Sequence, residues 1–429
     1  MSGHTTNSRR DFLRSGSALA ASALIDNLER PCRAADSSGE RIRFGAIGVG
    51  GRGTQLAQQT TGYGDLLAVC DVDRTHAERA RQQTGGQARI YSDYRSLLER
   101  EDIDAVTIGT PDHWHIPVAI AACRAGKDVY CEKPLSLTVE EGRKLVKVVR
   151  ETGRVFQVGS QQRSEFGLLF LKAVAIVHDG RLGPLKRVVV SNREAPVGGP
   201  FETQPVPAQL NWDMWLGQTP EVKFTPQRCH RTFRWWFEYS GGMMTDWGAH
   251  HLDIAHWGMG MQHSGPVRID GRARLPRIEN GYNTPAEFEV DMEYPGGLPV
   301  RLSVKKGNRS GILFEGETGR IFVSRATLAG TPVEQLADQP LPDDAIATLY
   351  RGKEPGSHMR NFVECIRSRE LPISDVFSQH RSTTALHLAN ISLRLGRPIT
   401  WDPKTETVTG QDQQATAMLS REPRKGFEF

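Results

Sequence analysis

Gly48-Val49-Gly50-Gly51-Arg52-Gly53 is a G-x-G-x-x-G loop, and Asp71 ends a short apolar run beyond it. In such a loop the first glycine permits a tight turn. The second lets the backbone approach a pyrophosphate, and the third lets helix and strand pack closely. The helix that opens there turns its partial positive charge toward the phosphates. Asp71 lies about 20 residues past the glycines, where a carboxylate accepts hydrogen bonds from the adenosine ribose. It would repel a 2′-phosphate, so the expected cofactor is NAD rather than NADP. Four further polar motifs carry groups able to move protons or bind hydroxyls: Thr110-Pro111-Asp112-His113-Trp114-His115, Glu132-Lys133-Pro134, Ser160-Gln161-Gln162-Arg163, and Asp246-Trp247-Gly248-Ala249-His250. In a helix, Asp246 and His250 share a face.

The surrounding pattern says what positions these groups. Strand-like runs at 41–47, 66–70, 105–108, 128–131 and 155–159 alternate with helical stretches at 54–59, 74–84, 116–125 and 139–151. Such alternation predicts an α/β fold with a doubly wound parallel sheet that 155–159 closes. The first three polar motifs each follow the carboxyl end of a strand, where ligands collect in an open parallel sheet. Later strands are expected at 185–191, 267–273, 286–294, 299–304 and, as a pair, 311–323. Phe288, Val290, Met292 and Tyr294 alternate with acids, which predicts one wet face. Residues 330–356 read as a surface excursion, 359–368 and 382–395 as helices, and 397–402 as the closing segment.

The glycine fingerprint, Glu132-Lys133-Pro134 and the Asp246-x-Gly248-x-His250 pattern together resemble the Gfo/Idh/MocA oxidoreductases. The likeness spans about residues 41–403. It implies an N-terminal Rossmann domain followed by an α/β domain on an open, mostly antiparallel sheet, with C-terminal helices packed back near the Rossmann domain. It also implies that Lys133 is the catalytic lysine, that His250 accepts the proton, and that Asp246 orients substrate or histidine. The residue types suit that chemistry. An ammonium can donate to a developing alkoxide, and a histidine titrates near working pH. The expected cofactor-binding set is Gly48, Gly50, Gly51, Arg52, Gly53, Asp71, Thr110, Pro111, His115, Glu132 and Lys133. The expected substrate-binding set is His113, Trp114, Arg163, Arg234, Asp246 and His250. No metal is expected: His251 follows His250 directly and faces about 100° away on a helix. Arg234-Trp235-Trp236 is core or stacks on a sugar ring. His256, His263 and His387 are read as packed residues.

The chain has 429 residues, enough for two or three domains. Lysine plus arginine is 54 against 50 acidic residues, a net charge of +4, and no long basic run appears. Nucleic acid is therefore not an expected partner. No apolar stretch is long enough to span a membrane, so no membrane anchor is expected. The six cysteines show no CxxC spacing, which argues against a structural zinc site. Ser8-Arg9-Arg10-Asp11-Phe12-Leu13 before an apolar segment resembles a twin-arginine export signal, giving an expected periplasmic location. The expected domains are a signal peptide at 1–35, an NAD-binding Rossmann domain at 41–160, a substrate-binding and oligomerisation domain at 161–403, and a tail at 404–429. The expected partners are a carbohydrate and further copies of the chain, as a dimer or tetramer. Three functions are open: an exported oxidoreductase acting on a sugar or polyol with tightly bound NAD, a redox-neutral NAD-dependent glycosidase, and a non-catalytic sugar- or cofactor-binding protein. Scarce free NAD outside the cytoplasm favours schemes that keep the cofactor bound.

Overall fold

The computed structural model describes residues 41–429, so the export signal read at the N-terminus lies outside the described residues. Strands β1 (Ile42–Ile47), β2 (Gly64–Cys70), β3 (Arg89–Tyr91), β4 (Ala105–Ile108), β5 (Asp128–Cys131) and β6 (Phe156–Val158) form one parallel sheet in the order 3-2-1-4-5-6. The order reverses between β1 and β4, which leaves a crevice at their carboxyl ends. Every residue of β4 and β5 is buried. Strands covered by helices on both faces read as unbroken apolar runs, which is why the sequence marks them so clearly. β3 is different. It is a three-residue edge strand with Arg89 exposed, too short to show a period.

Helices α1 (Gly51–Thr61), α2 (Arg74–Gln83), α3 (Tyr94–Leu98), α4 (Asp112–Arg124) and α5 (Val139–Thr152) connect the strands. Local chemistry sets their ends. Asp73 caps α2 by accepting from the Thr75 N–H, and Thr138 caps α5 by accepting from that of Glu141. Gly153 ends α5 in a left-handed conformation. α4 starts at Asp112, four residues before the apolar pattern suggests, so His113-Trp114-His115 lie in a helical turn rather than a loop. Pro117 sits inside this helix and cannot donate to the His113 carbonyl four residues back. The Gln218 side-chain amide donates to that carbonyl instead, at 2.5 Å.

The rest of the chain folds around a mixed nine-stranded sheet. Helix α6 (Leu169–His178), strand β7 (Leu185–Asn192), and helices α7 (Trp212–Leu216), α8 (Met243–Asp246) and α9 (Gly248–Gly258) come first. Strands β8 (Arg268–Ala273), β9 (Phe288–Tyr294), β10 (Leu298–Val304), β11 (Gly311–Gly316), β12 (Arg320–Val323) and β13 (Leu328–Ala329) follow. Helices α10 (His358–Ser368) and α11 (Val376–Leu395), strands β14 (Ile399–Asp402) and β15 (Thr407–Val408), and helix α12 (Gln413–Ala417) complete it. The sheet order is 13-12-11-7-10-9-8-14-15, antiparallel apart from the β7–β10 pair. On β9, Phe288, Val290, Met292 and Tyr294 are buried while the acids between them are not. α10 buries Met359, Phe362, Val363, Cys365 and Ile366 in the same core as β1 and β2. The segment read as a tail is folded: Leu419 is buried, and Phe427 packs edge-on against Trp114. The 330–356 excursion contains short helices and buries Tyr350, whose hydroxyl donates to Ser164 Oγ at 2.7 Å.

Candidate functional site

A cavity of about 750 Å³ opens at the carboxyl ends of the parallel strands and is lined by residues from Ile47 to Arg325. At one end is the glycine loop. Gly48 has φ +73°, and a Cβ there would stand 2.5 Å from the Thr110 amide nitrogen. A Cβ on Gly53 would stand 1.8 Å from the Gly48 carbonyl oxygen. Both positions therefore exclude a side chain. Gly51, by contrast, faces open space. Gly50 begins α1 without a side-chain cap, and no acidic residue occupies the first turn, so its N–H groups are available to an anion. Thr110 Oγ1 is buried with no partner beside this cradle. Asp71 stands at the end of β2, with Oδ1 accepting from the Asp73 N–H at 2.9 Å and Oδ2 3.7 Å from His76 Nδ1. The cradle, the orphaned hydroxyl and the acid fit a dinucleotide.

At the other end, Lys133 follows β5. Its Nζ donates to Asp246 Oδ1 at 2.6 Å and to the Asp246 backbone carbonyl at 2.8 Å. Asp246 Oδ1 also accepts from Arg234 Nε at 3.2 Å. Burial disfavours the carboxylate, yet the charges of Lys133 and Arg234 outweigh it and hold Asp246 at about 2. Asp246 ends α8 and His250 lies in the first turn of α9, with Trp247 between the two helices. The His250 ring lines the cavity, and its Nδ1 has no hydrogen-bond partner. Burial, followed by the nearby charges of Lys133 and Arg325, pushes its pKa well below the usual histidine value. His250 is therefore a neutral imidazole at neutral pH. The Asp246 carboxylate bonds Lys133 and Arg234 rather than His250, so it orients the lysine and not the histidine.

Several expected residues serve other ends. Arg52 donates through Nε to Glu132 Oε1 at 2.8 Å, and Gln161 Nε2 donates to the same oxygen at 2.9 Å. Arg52, Glu132, Thr110 and Pro111 all line the cavity. His115 also borders it, but its ring nitrogens face the carbonyls of Pro134 at 2.7 Å and Thr110 at 3.0 Å. It ties the start of α4 to the Glu-Lys-Pro segment. Trp114 lines the cavity while its Nε1 donates to the Trp215 carbonyl at 3.0 Å. His113, expected on the substrate side, is turned away. It is fully buried, faces the Trp215 carbonyl through Nε2 at 2.8 Å and lies against Trp215 and Tyr239. Arg163 is likewise turned into the core, where Nε donates to Asp253 Oδ2 at 2.8 Å. Both are corrections with one cause: a short helical turn sends adjacent side chains to different sides.

His251 and His256 do not join His250. His251 packs against Phe170 and Trp247, and His256 Nε2 meets the Tyr294 hydroxyl at 2.5 Å. Trp236 is core, only 1% exposed, with the Arg228 guanidinium 3.7 Å from its ring centre. Asp112, inside the Thr110–His115 motif but given no role of its own, accepts from Ser240 Oγ at 2.5 Å, and Arg325, which carried no sequence signal, reaches in from the turn after β12.

Residues 42–160 match the family described as "Oxidoreductase family, NAD-binding Rossmann fold", and residues 198–429 match "Oxidoreductase family, C-terminal alpha/beta domain". The inositol 2-dehydrogenase of Klebsiella pneumoniae is 33% identical over 170 residues, covering 38% of this chain and 49% of that protein. The alpha-N-acetylgalactosaminidase of Shewanella oneidensis is 32% identical over 203 residues, covering 41% of this chain and 44% of that protein. The chain thus spans about half the length of the curated relatives it matches. Among solved structures, the WlbA dehydrogenase of Bordetella pertussis, in complex with NADH and UDP-GlcNAcA, superposes with a TM-score of 0.62. It is 21% identical, and the match covers 84% of this chain and 99% of that one, a likeness of fold.

Proposed function

Because the chain belongs to the Gfo/Idh/MocA oxidoreductase family, we propose that it transfers a hydride between a sugar or polyol carbinol and a tightly held NAD. The observation that carries this reading is the Lys133–Asp246 contact beside a neutral His250, in the same cavity as the glycine cradle. NAD, when bound, supplies the hydride acceptor and donor. Gly48, Gly50, Gly51 and Gly53 would admit its pyrophosphate, and Asp71 would take its adenosine ribose. Asp246 holds two of the three ammonium protons of Lys133 and leaves one for the substrate oxygen. As the carbinol C–H bond breaks, that donor stabilises the developing alkoxide. The neutral His250 ring takes the hydroxyl proton.

The test uses the purified chain. Acid extraction and mass spectrometry should recover NAD(H), and adding sugars or polyols should change the absorbance of the bound dinucleotide. A 2′-phosphorylated nucleotide in the extract overturns the role of Asp71. A bound dinucleotide that no carbinol reduces overturns the hydride-transfer reading.

The likeness to the alpha-N-acetylgalactosaminidase favours a second reading, a redox-neutral glycosidase. Transient oxidation at C3 acidifies the C2 proton, elimination expels the aglycone, water adds, and the hydride returns. Release of nitrophenol from nitrophenyl glycosides without added NAD selects this reading. Export by the twin-arginine route, supported by Ser8 to Leu13, belongs to either reading and is tested by fractionating cells that express the full chain. Assembly into a dimer or tetramer, also part of either reading, is tested by light scattering on the purified chain.

A further inference from the structure

Arg325 follows β12 in a turn closed by the Ser324 N–H donating to the Thr327 carbonyl at 2.8 Å. Its guanidinium lies over the Phe166 ring at 4.5 Å and the Trp247 ring at 4.7 Å from their centres. Nε donates to Gln162 Oε1 at 3.2 Å, and the Gln162 amide in turn donates to the His250 carbonyl at 3.1 Å. One glutamine thus links Arg325 to the backbone of the neutral histidine. The side chain is half-buried and lines the cavity.

Of the other arginines lining the cavity, Arg52 is paired with Glu132 and Arg234 with Asp246. Arg325 has no carboxylate within ion-pair distance among the described residues. Asp246, Glu165 and Glu132 contribute only at longer range. Burial, then the charge of Arg52, lowers its pKa, yet the group stays a cation at neutral pH. Two aromatic rings and a glutamine hold the fork at the cavity wall, and no ion pair to its terminal nitrogens is found among the described residues. A planar, preoriented guanidinium is suited to a carboxylate or a phosphate, which it can engage in two parallel hydrogen bonds.

We infer that Arg325 recognises an anionic group on the carbohydrate, a carboxylate as in a uronic acid or a phosphate as in a sugar phosphate. The inference rests on the carbohydrate reading above, so binding is measured apart from chemistry. The full chain with its bound dinucleotide is titrated calorimetrically with D-glucuronate, D-glucose 6-phosphate and D-glucose, and dinucleotide reduction is followed separately. At least one anionic sugar should bind about tenfold or more tightly than glucose, and the stronger of the two identifies the source of the charge. Arg325→Met should bring that ratio close to one. Arg325→Lys should restore part of it, since an ammonium keeps the charge but not the fork. Retained dinucleotide and an unchanged circular dichroism spectrum report that each variant is folded. Equal affinity for glucose and both anions, no saturable binding of either anion, or a preference that survives Arg325→Met overturns the inference. Selective anion binding without dinucleotide reduction supports the inference and counts against hydride transfer. Reduction by glucose with no anion preference does the reverse.

Discussion

Two buried ion pairs join the carboxyl ends of the parallel strands to the helices α8 and α9. They differ in what they leave unspent. In Arg163–Asp253 both side chains are essentially inaccessible, at 1% and 0% exposed. Asp253 also accepts from Ser160 Oγ and Gln379 Nε2, each at 2.8 Å, while Arg163 donates to the Ile373 carbonyl at 2.7 Å and stacks on Trp257. That pair is saturated. In Lys133–Asp246 the side chains are 13% and 15% exposed, the carboxylate is shared with Arg234, and the ammonium, with two protein acceptors for three protons, borders the cavity. A saturated buried pair holds structure together. An incompletely satisfied one beside a cavity can meet a ligand.

Removing one partner of the saturated pair should have the largest effect. Arg163→Met strands the Asp253 charge in the core and should cost about 3–5 kcal/mol of stability, read from urea unfolding. Adding Asp253→Leu should recover much of the loss, because the uncompensated charge goes with it. Near-normal stability with weakened sugar binding would erase the contrast and return Arg163 to the substrate side.

Lys133→Met should behave in the opposite way. Single-turnover reduction of the bound dinucleotide should slow on the order of 10²–10³-fold, while the unfolding midpoint moves far less than in Arg163→Met and the dinucleotide stays bound. A loss under about tenfold would make Lys133 a structural residue like Arg163. Asp246→Asn should slow the same step by about 10-fold to 10²-fold, the worth of one charge-assisted hydrogen bond, because the ammonium loses its aim but not its charge.

The smallest effect is a displaced pH limb. His250 is held deprotonated by burial and by the charges of Lys133 and Arg325. A base with a lowered pKa keeps its proton-accepting form as the pH falls through 6.5, the ordinary histidine value. Stopped-flow rates should therefore stay level from pH 7 to below 6.5 and fall only beneath it. A limb centred at 6.5 would mean that another histidine is the base. Stability should decline across the same window. His113, His251 and His387 are pushed down to about 3 by burial. Below about 6.5 their unfolded forms take protons that the folded forms refuse, so stability present above that pH is lost as it falls.

The sequence alone determined the parallel sheet, because β1, β2, β4, β5 and β6 are buried enough to leave apolar runs and their glycine or proline stops. It also determined the glycine cradle, since Gly48 and Gly53 occupy positions where no side chain fits. The mixed second sheet came with the family resemblance, and the alternation on β9 agreed with it. Burial direction was beyond reach. Gln161 and Arg163 stand two residues apart in one motif, yet one meets Glu132 at the cavity and the other meets Asp253 in the core. His113 and His115 divide in the same way within the first turn of α4. Residues 404–429 looked like a tail because their few apolar groups, Leu419 and Phe427 among them, are too scattered to show a period. Arg325 stood alone in a turn, with nothing nearby in sequence to mark it. Its partners Phe166, Trp247 and Gln162 come from distant segments, and only packing those segments together leaves a guanidinium facing the cavity without a counter-charge.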